Sequence, residues 1–572
     1  MFLATTALQE FWQREGKILF LSSWCLKYAD RDEWRKLDLE VLPYPWDESA
    51  RLEKAYCELR ELYDQCLKSL SEWLNETHGL NCDLRYWNII IGFWLLHFLS
   101  VVQDRYACVN DAIRFDPALH TIGLDRNSYV VPKNNLDFVD MCADDPFNLQ
   151  IITEIVDFLG IPHSRRSANV AYQKEPTPHR VRDSVADVLH RLSRVKTTQL
   201  YAAFPWQSRL RLGLHSHFRQ WPSFLPHDRS QSMQVPVDEK KRSSLTELMR
   251  SSEIEKIISH VLPWALPLAY LEGFSDLREP TSRGSRATVI ASDNGFHYNE
   301  TFKIYAAESY RRGAKLIALQ HGGGYGIFRQ MPIEQYELSI CDEFWSWGWY
   351  APSVRPVPAA KLTGLRESGP ELFQPKNKDI LFVATLQPRY LVRFHSNHLG
   401  PQVGDYLDWA ARFIKRIDPG LRNKLIYRPY MYDYGWNVIE RLKEMDPSLR
   451  IDTGQRRFHQ ALRESKLVVI DNNETTFLEA LVANKPLILF WNPERRQIRD
   501  TAQPFFDSLR QAGILHDSPE SAAEMVARVY EKPDTWWNSE PVQSTRQVMI
   551  NAFAFYTPDW PSQWCSALAS VK

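Results

Sequence analysis

The stretch Val468 to Glu494, VVIDNNETTFLEALVANKPLILFWNPE, constrains the fold more than any other. It opens with the apolar run Leu467-Val468-Val469-Ile470, which ends on Asp471 and reads as a buried parallel strand. A polar turn, Asn472-Asn473-Glu474, leads to Thr475 and Thr476. These open a helix with Phe477, Leu478, Leu481 and Val482 on one face and Glu479 one turn above Thr475. Asn484 and Pro486 stop the helix, and Leu487-Ile488-Leu489-Phe490 is the next strand. This is a βαβ unit with a hydroxyl pair at a helix N-terminus. Free N–H groups and the helix dipole make such an end an anion site, and a simple Thr475 cap fits the same residues.

At 572 residues the chain is too long for one ordinary core, so two or three domains are expected. A net charge of -1 gives no global field for nucleic acid, and no nucleic-acid partner is expected. The eight cysteines are scattered with no C-x-x-C pair, so neither a zinc site nor a disulfide framework is signalled. The N-terminus lacks the basic and apolar regions of a signal peptide. The most apolar run, Ile89 to Val102, is shorter than the roughly 20 residues a membrane span needs. A reduced, cytoplasmic chain is expected, with peripheral docking at the inner face of the membrane left open.

Along the chain, Phe2 to Thr6 and Ile18 to Leu21 read as strands. Asp47 to His78 and Arg85 to Tyr106 read as long helices, the second mostly buried. Asp30-Arg31-Asp32 matches a short metal motif but follows no evident strand, so no metal is expected. Val181 to Leu200 reads as helix, and Arg219 to Glu247, rich in Pro, Ser and charge, as a loop or insertion.

Further on, Ala287 to Ala291 is a strand running into Ser292-Asp293-Asn294-Gly295. A helix from Glu300 to Arg312 follows, and the strand Lys315 to Leu319 ends in Gln320-His321-Gly322-Gly323-Gly324-Tyr325-Gly326. Ligands of open α/β sheets bind beyond the carboxyl ends of strands. Asp293 and His321 therefore stand at one such edge, where glycines let a backbone approach a ligand. After Asp342 to Gly348, another strand, the stretch Ala351 to Lys378 loses periodicity and reads as an interdomain linker. Strand and helix then alternate again, and Arg389, Arg428, Asp471 and Thr475-Thr476 fall at strand ends. Two arginines and a helix N-terminus suit a phosphate, with Glu479 for ribose hydroxyls.

The expected fold class is α/β and GT-B-like, with two Rossmann-like domains facing a central cleft and an extra helical N-terminal part. The expected division is 1–360 for an acceptor-side domain, 361–378 for the linker and 379–540 for the donor domain. Residues 541–572 form a last helix that returns toward the first domain.

The ordered set Trp87-Asn88-Ile89-Ile90-Ile91-Gly92-Phe93-Trp94-Leu95, Asp104-Arg105-Tyr106, Gln320 to Gly326, Pro388-Arg389-Tyr390 and Glu474 to Leu481 spans nearly the full chain. It resembles a family of transferases found in bacterial O-antigen and surface-polysaccharide loci. That family has Pro where this chain has Phe93, so the helix is expected to run on there. The family is in turn remotely similar to the retaining β-Kdo glycosyltransferases, which use CMP-Kdo. The resemblance implies a nucleotide-sugar donor, a glycan or lipid-linked glycan acceptor and no cofactor. It implies Asp293 as nucleophile with His321 as partner, and Gly322, Gly323, Arg389, Arg428, Asp471, Thr475, Thr476 and Glu479 on the donor side. Trp94, Asp104 and Arg105 are assigned to the acceptor side. A CDP-polyol phosphotransferase of similar architecture, with His321 as base, and a non-catalytic glycan-binding protein are the alternatives.

Overall fold

The computed structural model describes residues 1–168, 197–281, 287–367 and 377–571. Its strands form three parallel sheets and a parallel pair. The C-terminal sheet holds β11 (Ile380–Val383), β12 (Leu425–Arg428), β13 (Arg450–Ile451), β14 (Leu467–Ile470), β15 (Leu487–Phe490) and β16 (Leu515–His516), in the order β13-β12-β11-β14-β15-β16. The central strands are buried over their whole length, as expected of strands covered on both faces by helices. The order reverses between β11 and β14, the kind of switch point at which ligands of open α/β sheets bind.

The middle sheet runs β10-β9-β8-β7-β6 without a reversal, from β6 (Thr198–Tyr201), β7 (Val289–Ser292), β8 (Lys315–Leu319), β9 (Glu343–Ser346) and β10 (Val354–Pro356). The helix expected from Val181 to Leu200 lies outside the described residues up to 196, and its last part is strand β6. The Pro-rich stretch after Ala351 supplies β10, paired with β9, and the helix Thr363–Glu367, before leaving the described residues. The carboxyl ends of the middle and C-terminal sheets face each other. The loop after β8 meets the one after β14, and Phe328 bridges to Ile498. This is the GT-B-like arrangement.

The N-terminal part is helical and also carries strands. β1 (Phe2–Ala4), β2 (Ile18–Phe20) and β3 (Leu39–Val41) pair in parallel, as do β4 (Thr121–Leu124) and β5 (His163–Arg166). The Leu3 N–H donates to His120 O at 2.8 Å and joins the two groups. Across these strands lie Ser49–His78 and Leu84–Phe115, the latter capped by Asp83, which accepts from the Tyr86 N–H. Leu84–Phe115 is long and apolar enough to cross a membrane, yet its apolar stretch is wholly buried here. It runs through Gly92-Phe93 unbroken. The closing helix Trp560–Ser570 returns to the middle sheet, where Trp564 packs on Trp345 and donates to Pro358 O at 2.9 Å.

One buried network ties the C-terminal sheet to the N-terminal part. Arg389, beyond β11, donates to Asp145 and to Trp24 O. Tyr390 OH (2.6 Å) and Lys27 Nζ (2.7 Å) reach the same carboxylate. Arg105 clamps Asn148 Oδ1 and donates to Leu391 O at 2.9 Å, while Asp104 pairs with Arg105 and accepts from Tyr44 OH and Trp46 Nε1. Burial alone would raise Asp145, but Arg389 and Lys27 hold its carboxyl below the ordinary range. Asp145→Ala removes the shared partner of buried Arg389 and half-buried Lys27 and is expected to destabilise the protein by about 3–5 kcal/mol in urea titration. A change below about 1 kcal/mol would show that the network does not hold the parts together.

Candidate functional site

The site is built where the loop after β8 meets the helix after β14. Gln320 folds the loop: its Nε2 donates to Gly322 O at 2.9 Å, and its Oε1 accepts from Trp347 N at 2.8 Å and Trp349 Nε1 at 2.9 Å. The loop then lies flat on the start of helix Thr475–Val482. A Cβ at Gly323 would stand 2.5 Å from the Glu474 carbonyl carbon and 2.7 Å from Thr475 N, so only glycine fits. The Gly323 N–H donates to Thr475 Oγ1 at 2.9 Å. No side chain caps the helix, and its first-turn dipole is directed at this junction.

Beside the junction a narrow cleft of about 10 Å³ is lined by Asp293, His321, Lys361, Phe204, Trp347 and Trp564. Asp293 follows β7 and is 7% exposed. It accepts from the N–H groups of Ala203 and Asn294, both at 2.7 Å, while Ser292 Oγ takes the Gly295 N–H. Asp293 does not cap the long helix Glu300–Arg311, whose cap is Asn299, accepting from the Phe302 N–H. Burial raises the Asp293 pKa. Lys361 Nζ donates to His321 O at 2.8 Å.

His321 is backed by a second layer. His297 stacks on Phe93 with centroids 4.3 Å apart, and its Nε2 lies 3.0 Å from Glu337 Oε1. Tyr325 OH lies 3.3 Å from His321 Nδ1. Burial pushes Glu337 up to about 8, and burial pushes both His297 and His321 down to about 3. Burial thus favours the uncharged form of all three, and Glu337 and His297 share one hydrogen bond. The ligand atoms of His297, His321 and Glu337 lie within 4.8 Å of one another, a set of the type that holds zinc. Lys303, Lys361 and Arg393 add positive charge around the two imidazoles, which opposes a cation there.

Asp293, His321, Gly322, Gly323 and Thr475 thus come together, and several other predicted residues do not. Arg389 is taken up by Asp145 because the loop after β11 is drawn into the N-terminal network. Arg428 pairs with Asp452 at 2.8 Å. Asp471 is buried, accepts from Tyr406 OH at 2.7 Å and is pushed up to about 7 by burial. Thr476 Oγ1 turns back to Asn472 Oδ1 at 3.4 Å, and Glu479 meets His459 at 3.1 Å. Trp94, Asp104 and Arg105 have no exposed surface and line no cleft.

Two cations outside the predicted set stand where Arg389 and Arg428 were expected. Arg393 hydrogen-bonds Tyr298, and its charge is felt by His297, His321, Tyr325 and Tyr430. Arg496 is buried beside Asn473 Oδ1 (3.1 Å) and Glu474, and its Nε and Nη2 have no protein acceptor. The signal available in the sequence is the run of basic residues and histidines from Arg389 to His398, behind the strand end rather than on it.

A family model described as LIC12162 family transferase matches residues 1–568. The chain belongs to the LIC12162 family of transferases. No curated protein matches it. Among solved structures it is similar to WaaG, described as a glycosyltransferase involved in lipopolysaccharide biosynthesis, at 12% identity over 65% of this chain and 99% of that one, TM-score 0.29. It is also similar to a variant of the wall teichoic acid polymerase TagF, at 10% identity over 73% and 97%, TM-score 0.31. Likenesses this loose say nothing about chemistry.

The layer behind His321 makes a testable pH dependence. Glu337 loses its proton near pH 4.5 when unfolded and near 8 when folded. Stability from the protonated carboxyl is therefore complete below the lower value and lost as pH rises toward 8, by at most about 1.4 kcal/mol per unit. Glu337→Gln, which never ionises, is expected to flatten that decline in urea titrations at about pH 5 and about pH 8. An unchanged slope would show that Glu337 is already ionised in the folded protein.

Proposed function

We propose that this transferase moves a sugar from a nucleotide-activated donor to a glycan acceptor of a bacterial surface polysaccharide. The observation that carries the reading is the junction of the Gly322-Gly323 loop with the Thr475 helix. It sets an uncapped helix end, at a topological switch point, beside a cleft holding Asp293 and His321. The motif resemblance supports a CMP-linked 3-deoxy-ulosonic acid as donor.

In this reading the donor phosphate lies against the first turn of helix Thr475–Val482 and the Arg393 guanidinium. A fixed positive field there stabilises the charge that develops on the departing CMP, without a metal. Asp293, aimed by the Ala203 and Asn294 N–H groups, attacks the anomeric carbon as the bond to the phosphate oxygen breaks. An acceptor hydroxyl then displaces the Asp293 carboxylate and gives up its proton. His321 is neutral at pH 7 and accepts a hydrogen bond from the incoming hydroxyl, while its lowered pKa makes it a weak base, so the proton ends on water. The second reading, phosphoryl transfer from a CDP-polyol with His321 as base, needs a more basic imidazole than burial leaves it. The product's linkage, glycosidic or phosphodiester, separates the two.

Asp293→Asn keeps the size of the side chain and one of its two accepted hydrogen bonds but removes its charge. Transfer is expected to fall by orders of magnitude while nucleotide binding persists in calorimetry; a near-wild-type rate would end the nucleophile assignment. Arg393→Ala is expected to weaken the nucleotide by about 1.5–3 kcal/mol, the scale of a charge-assisted hydrogen bond. Activity is expected to survive excess EDTA. A loss restored by a divalent cation would turn attention to His297, His321 and Glu337.

A further inference from the structure

One wall of the Asp293 cleft continues directly onto the protein surface. The Ala203 N–H holds Asp293 and Phe204 lines the cleft. Pro205 then begins the helix Trp206–His215. That helix buries Ser208, Arg209, Leu212 and Gly213 and turns its remaining side outward. Trp206 is 61% exposed, Leu214 63%, Phe218 53% and Phe224 38%. The rings of Trp206 and Phe218 each lie 5.8 Å from that of Trp221, so they form one patch rather than scattered residues. Gly213 lets the patch lie close to the helix, since a Cβ there would come within 2.7 Å of the Trp221 ring.

The backbone beyond the helix is held in an unusual conformation. His217 and Phe218 have φ of 49° and 57°, two successive non-glycine residues in the left-handed region, and Phe218 N donates to Gly213 O at 2.6 Å. This strained turn holds Phe218 at the surface. A cluster of large apolar side chains in water is a feature of surfaces that meet something else.

The charge around the patch says what. Between Ala202 and His227 the sequence has no acidic residue, while Arg211 and Arg219 carry positive charge and His215 and His217 are exposed. Arg211 lies over the Trp560 ring at 5.9 Å and donates to Pro558 O at 3.2 Å, at the edge of the patch. An exposed acid, Asp559, stands at that margin. Indole and phenyl rings with arginines and no interspersed acid match the headgroup layer of an anionic bilayer, where rings enter the interface and guanidinium groups meet lipid phosphates.

We propose that the Trp206–Phe224 surface docks on an anionic membrane leaflet and sets the mouth of the Asp293–His321 cleft at the lipid surface. The docking stands by itself. Its consequence, delivery of a lipid-linked acceptor to the cleft, rests on the glycosyl-transfer reading.

Flotation of the full chain with vesicles tests it. Wild type is expected to float with phosphatidylcholine vesicles containing a third phosphatidylglycerol, not with phosphatidylcholine alone, and to release as salt is raised. Trp206→Ser combined with Leu214→Ser is expected to reduce binding roughly tenfold or more with an unchanged melting temperature and unchanged nucleotide affinity. Should that variant lose its cooperative melt, Arg219→Glu, at an exposed position, takes its place with the same expectation. Absence of flotation at low ionic strength, equal binding to neutral vesicles or equal binding by the variants would overturn the proposal. A wild-type dimer that the double variant converts to monomer, without vesicle binding, would overturn it too and assign the face to a second copy of the chain. Failure of the glycosyl-transfer reading would appear as absent nucleotide binding, with flotation unaffected.

Discussion

Asp145 is a buried carboxylate shared by Arg389, Lys27 and Tyr390, and through it the loop after β11 is tied to the N-terminal part. Ion pairs taken out of water contribute stability only when their remaining hydrogen bonds are met. Here most of them are: Ala7 N–H also reaches Asp145, and Arg105 is held by Asp104, Asn148 and Leu391 O. The network draws the loop after β11 across the molecule. That loop carries Arg393 two residues past Leu391 and so brings a cation within electrostatic range of His297 and His321. Stability and site geometry are thus coupled through one segment.

The second dependence is steric. Gly323 lies against the backbone of Glu474 and Thr475 so closely that the loop of one sheet and the helix of the other behave as one surface. His321, one step before Gly322, is thereby fixed relative to the helix dipole. Behind it, His297, Glu337 and Phe93 form a dry, uncharged support. A neutral layer leaves the helix end, Lys361, Arg393 and Arg496 as the charges that an anionic ligand would meet.

The parallel units are legible in the sequence because their strands are continuous apolar runs bounded by turns, as Leu467–Ile470 and Lys315–Leu319 are. The loop Gln320 to Gly326 and the Thr475 helix are legible because glycines and hydroxyls at strand ends have few other uses. The N-terminal strands at Phe2 and Ile18 are legible as apolar runs, but Leu39–Val41, Thr121–Leu124 and His163–Arg166 are too short for a periodicity, and the pairing through His120 is set by residues far apart in sequence. Strand β6 reads as the end of a helix for the same reason: four residues leave no alternation to detect.

Strand period and turn chemistry are local properties. The order of residues alone was therefore enough to specify the βαβ units, their carboxyl-end loops and the pairing of Asp293 with His321 at one sheet edge. Which arginines face the cleft was settled by the three-dimensional fold. Arg389 and Arg393 stand in the same loop with the same charge. One is taken up by Asp145, 244 residues away, and the other is left beside His321. That choice depends on which buried carboxylate folding brings within reach, and no local pattern records it.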